Sequence, residues 1–100
     1  MLRHTLQGDT LTVFLKGELD HNSAKEMREW MDGLIDGAKA RRLVIDLSGL
    51  EFMDSSGIGV IIGRYNKMQK RGGTVGVRRA GPRINRIFNL SGVYELVEKL

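Results

Sequence analysis

The sequence predicts an α/β fold built on a mixed sheet. Three observations carry that expectation. Residues 43–47, Leu-Val-Ile-Asp-Leu, form an apolar, β-branched run too short for a helix and suited to a central strand buried on both faces. Segments with three- and four-residue apolar spacing flank it, and Gly, Pro and Ser clusters separate the segments. The resulting order, β-β-α-β-α-β-α-α, implies antiparallel pairing where consecutive strands meet and parallel pairing, with right-handed crossovers, where a helix intervenes.

Residues 2–6 read as a weak edge strand, and residues 10–17, with Leu11, Val13 and Leu15 alternating, as a second strand. Ser23-Ala-Lys-Glu26 fits a capping box, in which the Ser hydroxyl accepts from the N3 amide and Glu26 reaches back. A helix follows, with Ala24, Met27, Met31, Leu34, Ile35 and Ala38 on one stripe, ending near Gly37. After the 43–47 strand, residues 48–54 are expected as a loop. A second helix is expected from Ser56 to about Lys70, its apolar face being Ile58, Ile61, Ile62, Tyr65 and Met68, with Gly72-Gly73 stopping it. Residues 74–77 return as a strand. Pro82 opens a third helix through Ile84, Ile87, Phe88 and Leu90, Ser91-Gly92 closes it, and residues 93–100 read as a short terminal helix.

A chain of 100 residues, 41% hydrophobic, suits one core and one domain spanning residues 1–100. It has no internal repeat and no linker. No apolar stretch reaches the length of a membrane span and the N-terminus lacks a signal-peptide core, so a cytoplasmic protein without membrane attachment is expected. The absence of cysteine removes disulfides, thiolate zinc sites and thiol nucleophiles, and His4 and His21 alone make no metal site. The net charge of +4 is unevenly spread. Residues 1–54 carry seven Lys/Arg against ten Asp/Glu, whereas residues 55–94 carry eight basic residues, Arg64 to Arg86, and no acidic one. An acidic partner surface is the inference drawn from this; nucleic acid is disfavoured, because the charges scatter over several elements with few aromatics among them.

Asp54-Ser55-Ser56-Gly57 follows the buried strand and opens a helix, where several backbone amides lack intrahelical partners. Any of Asp54, Ser55 or Ser56 suits the N-cap. Two consecutive serines exceed what one cap needs, and Gly57 weakens the helix where a better former was available. A phosphate on Ser55 would face those amides and the positive helix end while adding a charge of about −1.5 to −2 to the surface. Gly59 and Gly63 share a helical face that admits close approach of the sheet or of a partner. The glycine spacing is not that of a phosphate-binding loop. Ser55 lacks a nucleophile elbow and the Glu51 and Asp54 carboxylates lack a pocket, so no enzyme and no cofactor is expected. Asp20 and His21 sit at the end of the second strand, Asp20 suiting a turn and His21 a solvated loop, while Trp30 suits partly buried packing.

Gly17-Glu-Leu-Asp-His21, Val44-Ile-Asp-Leu47, Phe52-Met-Asp-Ser-Ser-Gly-Ile-Gly59, Gly63-Arg-Tyr65 and Asn89-Leu-Ser-Gly92 together resemble the STAS domain, over nearly the whole chain. Within it the anti-sigma factor antagonists of the sporulation type are most similar. That resemblance implies a STAS fold, with a four- to five-stranded mixed sheet and helices mainly on one face. It also implies partner switching: the unphosphorylated protein binds an anti-sigma factor, itself a serine kinase carrying ATP or ADP, and frees the sigma factor. Phosphorylation maps to Ser55 and a PP2C-type phosphatase reverses it. Asp20, Asp54, Ser56, Gly57 and Ile58 become the partner-binding candidates.

Overall fold

A computed structural model of the chain describes residues 2–100. The elements run β1 (Arg3–Gln7), β2 (Thr10–Leu19), α1 (Ala24–Ala38), β3 (Arg42–Met53), α2 (Ser55–Lys70), β4 (Thr74–Arg78), α3 (Pro82–Ser91), a 3₁₀ turn (Val93–Glu95) and β5 (Glu98–Lys99). The five strands lie in sequence order in one sheet, with β1 antiparallel to β2 and every other pair parallel. Because each parallel step moves the same way along the sheet, right-handed crossovers put α1, α2 and α3 on one face.

Alternation along the strands builds the core. Leu11, Val13 and Leu15 on β2, Leu43, Ile45 and Leu47 on β3, and Val75 and Val77 on β4 are buried in one cluster with Met31 and Ile35 of α1, Ile61 and Met68 of α2, and Ile84 and Phe88 of α3. The stripe expected on α1 is the one that packs, with Met27, Met31 and Ile35 buried.

Four local expectations are corrected. Residues 48–54 are not a loop: β3 continues to Met53, because β2 also continues to Leu19 and the two stay paired through register shifts between Phe14 and Lys16 and between Gly17 and Glu18. Residues 93–100 are not a helix. Gly92 turns left-handed (φ 80), one 3₁₀ turn follows, and Leu100 donates its N–H to the Val77 carbonyl, which draws the segment onto the sheet edge as β5. Ser23 is the N-cap of α1 without a side-chain cap bond; its hydroxyl donates to the Glu18 carbonyl (2.7 Å) instead, so the capping box does not form. Finally, α2 begins at Ser55 and presents Gly57, Val60, Ile61, Arg64 and Met68 to the interior, leaving Ile58, Ile62 and Tyr65 only partly buried.

That rotation makes Arg64, 6% exposed, the buried charge of the helical layer. Its Nε lies 3.0 Å from Asp32 Oδ1 on α1. Lys67 and Arg71 meet Asp36, and Arg78 and Arg79 meet Asp46. The basic half of the sequence is thus largely matched by carboxylates of the acidic half, within the molecule, which removes most of the argument for a broad acidic partner surface.

Candidate functional site

The site lies at the end of the sheet where β3 passes into α2 and β2 into α1. Asp54 is the N-cap of α2, with extended backbone (φ −119, ψ −167), and its Oδ1 accepts the N–H of Ser56 (2.9 Å) and of Gly57 (3.3 Å). The ambiguity among Asp54, Ser55 and Ser56 is therefore resolved in favour of Asp54. Ser55, the first helical residue, is exposed. Its hydroxyl has no cap to serve, which leaves it presented to solvent beside a carboxylate.

Two of the amides expected to receive a phosphate on Ser55 are already occupied by Asp54, and the Ile58 N–H bonds the Asp54 carbonyl (3.2 Å). A phosphate at Ser55 would consequently add its charge to that of a neighbouring carboxylate rather than settle into an empty cradle. The helix dipole still favours it locally, by about 0.3 to 1 kcal/mol.

Gly57 owes its identity to packing. A Cβ there would lie 2.5 Å from Met53 Cγ and 2.6 Å from the Leu19 carbonyl oxygen, so only glycine lets α2 start against the end of β2. Gly59 and Gly63 are the opposite case: a Cβ at either would meet nothing within 4 Å. Packing against the protein's own sheet does not explain them.

The expected Asp20 is brought to the same end of the molecule, but its carboxylate faces its own loop. Oδ1 accepts the N–H of Asn22 (2.9 Å) and of Ser23 (3.0 Å), while the Asp20 N–H donates to Ser23 Oγ (3.0 Å). Asp20 therefore sets the loop, and His21 and Asn22 form its exposed tip. Ile58 is partly buried and lines a shallow groove of about 460 Å³ with Met53, Ser55, Ile87 and Leu90. Ser56 faces the other flank of α2, lining a hollow with His21, Lys25, Arg28 and Gly59. Ser55, Asp54, Ser56, Ile58 and the 20–22 loop thus share one surface, and Gly57 lies beneath it.

Reading the residues alone missed Leu90 and Phe52. Leu90 is 78% exposed, because only Ile84 and Phe88 of α3 turn inward. The signal was present: Leu90 lies off the four-residue step that joins Ile84 to Phe88. Phe52, at 39% exposed, was hidden by the expectation of a loop. Among the described residues no group of three His, Asp or Glu side chains is placed to hold a metal, and no helix is long and apolar enough to cross a membrane.

Residues 3–100 match the family model described as the STAS domain. An anti-sigma F factor antagonist of Paenibacillus polymyxa is 39% identical over 87 residues, which is 87% of this chain and 74% of that protein. An anti-sigma-B factor antagonist of Bacillus subtilis is 32% identical over 88% of this chain and 79% of its own length. The solved anti-sigma factor antagonist SpoIIAA in its unphosphorylated form superposes with a TM-score of 0.84 at 24% identity, over 100% of this chain and 88% of that one, and so shares the fold.

Proposed function

The chain belongs to the STAS-domain family of anti-sigma factor antagonists, and from that membership we propose a partner switch gated by phosphorylation of Ser55. The unphosphorylated protein binds an anti-sigma factor that is also a serine kinase carrying ATP or ADP. Binding frees a sigma factor for sporulation transcription. The kinase transfers the terminal phosphoryl group of ATP to Ser55 Oγ, the hydroxyl proton passes to a base on the kinase, and ADP remains. A PP2C-type phosphatase returns the hydroxyl by hydrolysis. The chain acts in the cytoplasm, as a substrate and a ligand, without catalysis of its own.

The observation that carries this reading is the placement of Ser55: exposed, free of capping duty, bordering an apolar groove and one residue from the Asp54 carboxylate. An apolar groove gives a partner contact area, and burying a leucine-sized side chain contributes about 1.5–3 kcal/mol. A phosphate on the rim adds about −1.5 to −2 charges next to Asp54. The combined negative field opposes desolvation of the groove and repels partner carboxylates. Folding is spared because Ser55 is exposed and does not cap α2.

The decisive experiment is intact-mass spectrometry with peptide mapping after incubation with the cognate anti-sigma kinase and ATP. One phosphate on Ser55 is expected, with Ser55→Ala unmodified and still binding, and Ser55→Asp folded and binding poorly. Phosphate elsewhere, or Ser55→Asp binding as the unmodified protein does, would overturn the gating mechanism.

A further inference from the structure

Five of the eight basic side chains between residues 55 and 94 meet carboxylates of the acidic half: Arg64 on Asp32, Lys67 and Arg71 on Asp36, and Arg78 and Arg79 on Asp46. The other three, Lys70, Arg83 and Arg86, make no ion pair among the described residues. Lys70 lies in the last turn of α2, where the negative end of the helix dipole favours a cation. Arg83 and Arg86 have no such account. Arg83 lies in the first turn of α3, where the dipole opposes positive charge and no acidic side chain offsets it. Arg86, three residues on, is its like-charged neighbour on the helix surface. Both are exposed, and both work against the helix that carries them.

These two arginines continue the face of α3 that borders Ser55. Ile84 and Phe88 turn to the core, whereas Arg83, Ile87 and Leu90 follow one another at four- and three-residue steps, with Arg86 on the same side. Ile87 and Leu90 line the apolar groove with Ser55 and Ile58. At about 1.5 Å of rise per residue, Arg86 and Arg83 stand roughly 6 and 10 Å along the helix from Leu90. One face of α3 thus runs from an exposed apolar end beside Ser55 to a cationic end near Gly81, and the helix contains no acidic residue.

We propose that this face of α3 receives an acidic, amphipathic segment of the anti-sigma partner, an inference that rests on the partner switch described above. An apolar side chain of the segment enters the groove at Ile87 and Leu90, and its carboxylates meet Arg86 and Arg83. Charge complementarity argues for that occupant. A guanidinium fork pairs with a carboxylate through two parallel hydrogen bonds. Arginine beside exposed apolar side chains is the composition of a protein interface, whereas a nucleic-acid backbone is met chiefly by cations and hydrogen-bond donors. A two-fold contact with a second copy of the chain would set the cationic end of this face near its own equivalent or against apolar side chains, leaving the arginines unmatched. The segment also gives a phosphate on Ser55 a local target, because its charge would stand at the apolar end of the face as the acidic segment docks.

The test is calorimetric titration of the whole chain into the cognate anti-sigma factor with ADP, at low and at raised sodium chloride. Arg83→Gln and Arg86→Gln should each weaken binding by roughly fivefold, and the double variant Arg83→Glu/Arg86→Glu by about a hundredfold, as loss and then reversal of two charge pairs predicts. The salt dependence of affinity should be shallower in the glutamine variants than in the parent. Melting temperatures should hold or rise, because acidic residues suit the start of α3, so that lost affinity is not lost fold. Parent binding that Ser55→Asp weakens, with affinity and salt dependence unchanged in the double variant, would overturn this inference and leave the partner switch standing. A parent chain that does not bind the anti-sigma factor would overturn both. Binding of double-stranded DNA, read by fluorescence anisotropy and lost in the double variant, would assign the arginines to nucleic acid and overturn the proposal.

Discussion

Asp54 accepts the backbone N–H of His21, 33 residues earlier in the chain, at 3.3 Å through Oδ2, while its Oδ1 caps α2. One carboxylate thereby joins the β2–α1 loop to the start of α2, and the two halves of the proposed interface share a fastening. Asp54→Ala should lower stability by about 1–2 kcal/mol, the upper part of the range for a lost cap. Asp54→Asn, which keeps an accepting oxygen, should lose less. Urea unfolding measures both, and an unchanged midpoint in Asp54→Ala would refute the role.

The three glycines of α2 should separate cleanly. Gly57→Ala puts a methyl group against Met53 and the Leu19 carbonyl and should destabilise by about 1–3 kcal/mol despite alanine's better helix propensity. Gly59→Ala and Gly63→Ala meet nothing and should each stabilise by roughly 0.5–1 kcal/mol. Thermal melts of the three variants give the ranking directly.

Acid should release part of the fold through Asp46. Burial pushes its carboxyl upward, but hydrogen bonds from Ser48, Arg78 and Arg79 outweigh burial and hold it at about 2, against an ordinary 3.8. The folded value is the lower one, so this stabilisation is complete above the unfolded value and is lost as pH falls from about 4 towards 2. The loss should reach about 2 kcal/mol, and Asp46→Asn should flatten that part of the stability profile.

Asp32→Ala would leave the Arg64 guanidinium buried between α1 and α2 without its counter-charge, and burial already works against that charge. A loss of about 3 kcal/mol is expected from the behaviour of broken buried pairs. The double variant Asp32→Ala/Arg64→Met should recover much of it, as a denaturant series on the parent and both variants would reveal.

Leu90→Ser removes an exposed apolar side chain that the fold does not use. Stability should stay within about 0.5 kcal/mol. Affinity for the anti-sigma partner should fall by roughly tenfold or more if the groove beside Ser55 is covered in the complex. Calorimetric titration distinguishes this from an interface confined to the 20–22 loop.

Much of this architecture was legible in the residues. The α1 stripe, the buried 43–47 run, the Pro82 start and the Gly92 stop all report local physics and appear where expected. What failed was decided at a distance. The continuation of β3 through Ser48-Gly49 depends on β2 remaining beside it through irregular register, and β5 depends on the Val77 carbonyl. Val93 and Val97, four apart and both buried, imitate a helix although no regular helix forms. Arg64 counts in the sequence among the basic residues suited to an acidic partner, because nothing in its neighbours announces the Asp32 carboxylate on α1. At the site, the Asp-Ser-Ser-Gly order located the helix start and Asp20 suited the turn that it makes, but which side chain would cap α2 required the three-dimensional arrangement.

The strand order carries a consequence for biosynthesis. No strand is inserted between two earlier ones, so each strand leaving the ribosome finds its neighbour already made, and the sheet can be laid down from one edge to the other in the order of translation. Synthesis need never hold a gap open for a later segment, and the junction of β3 with α2 that carries Ser55 can be built before the last two strands exist.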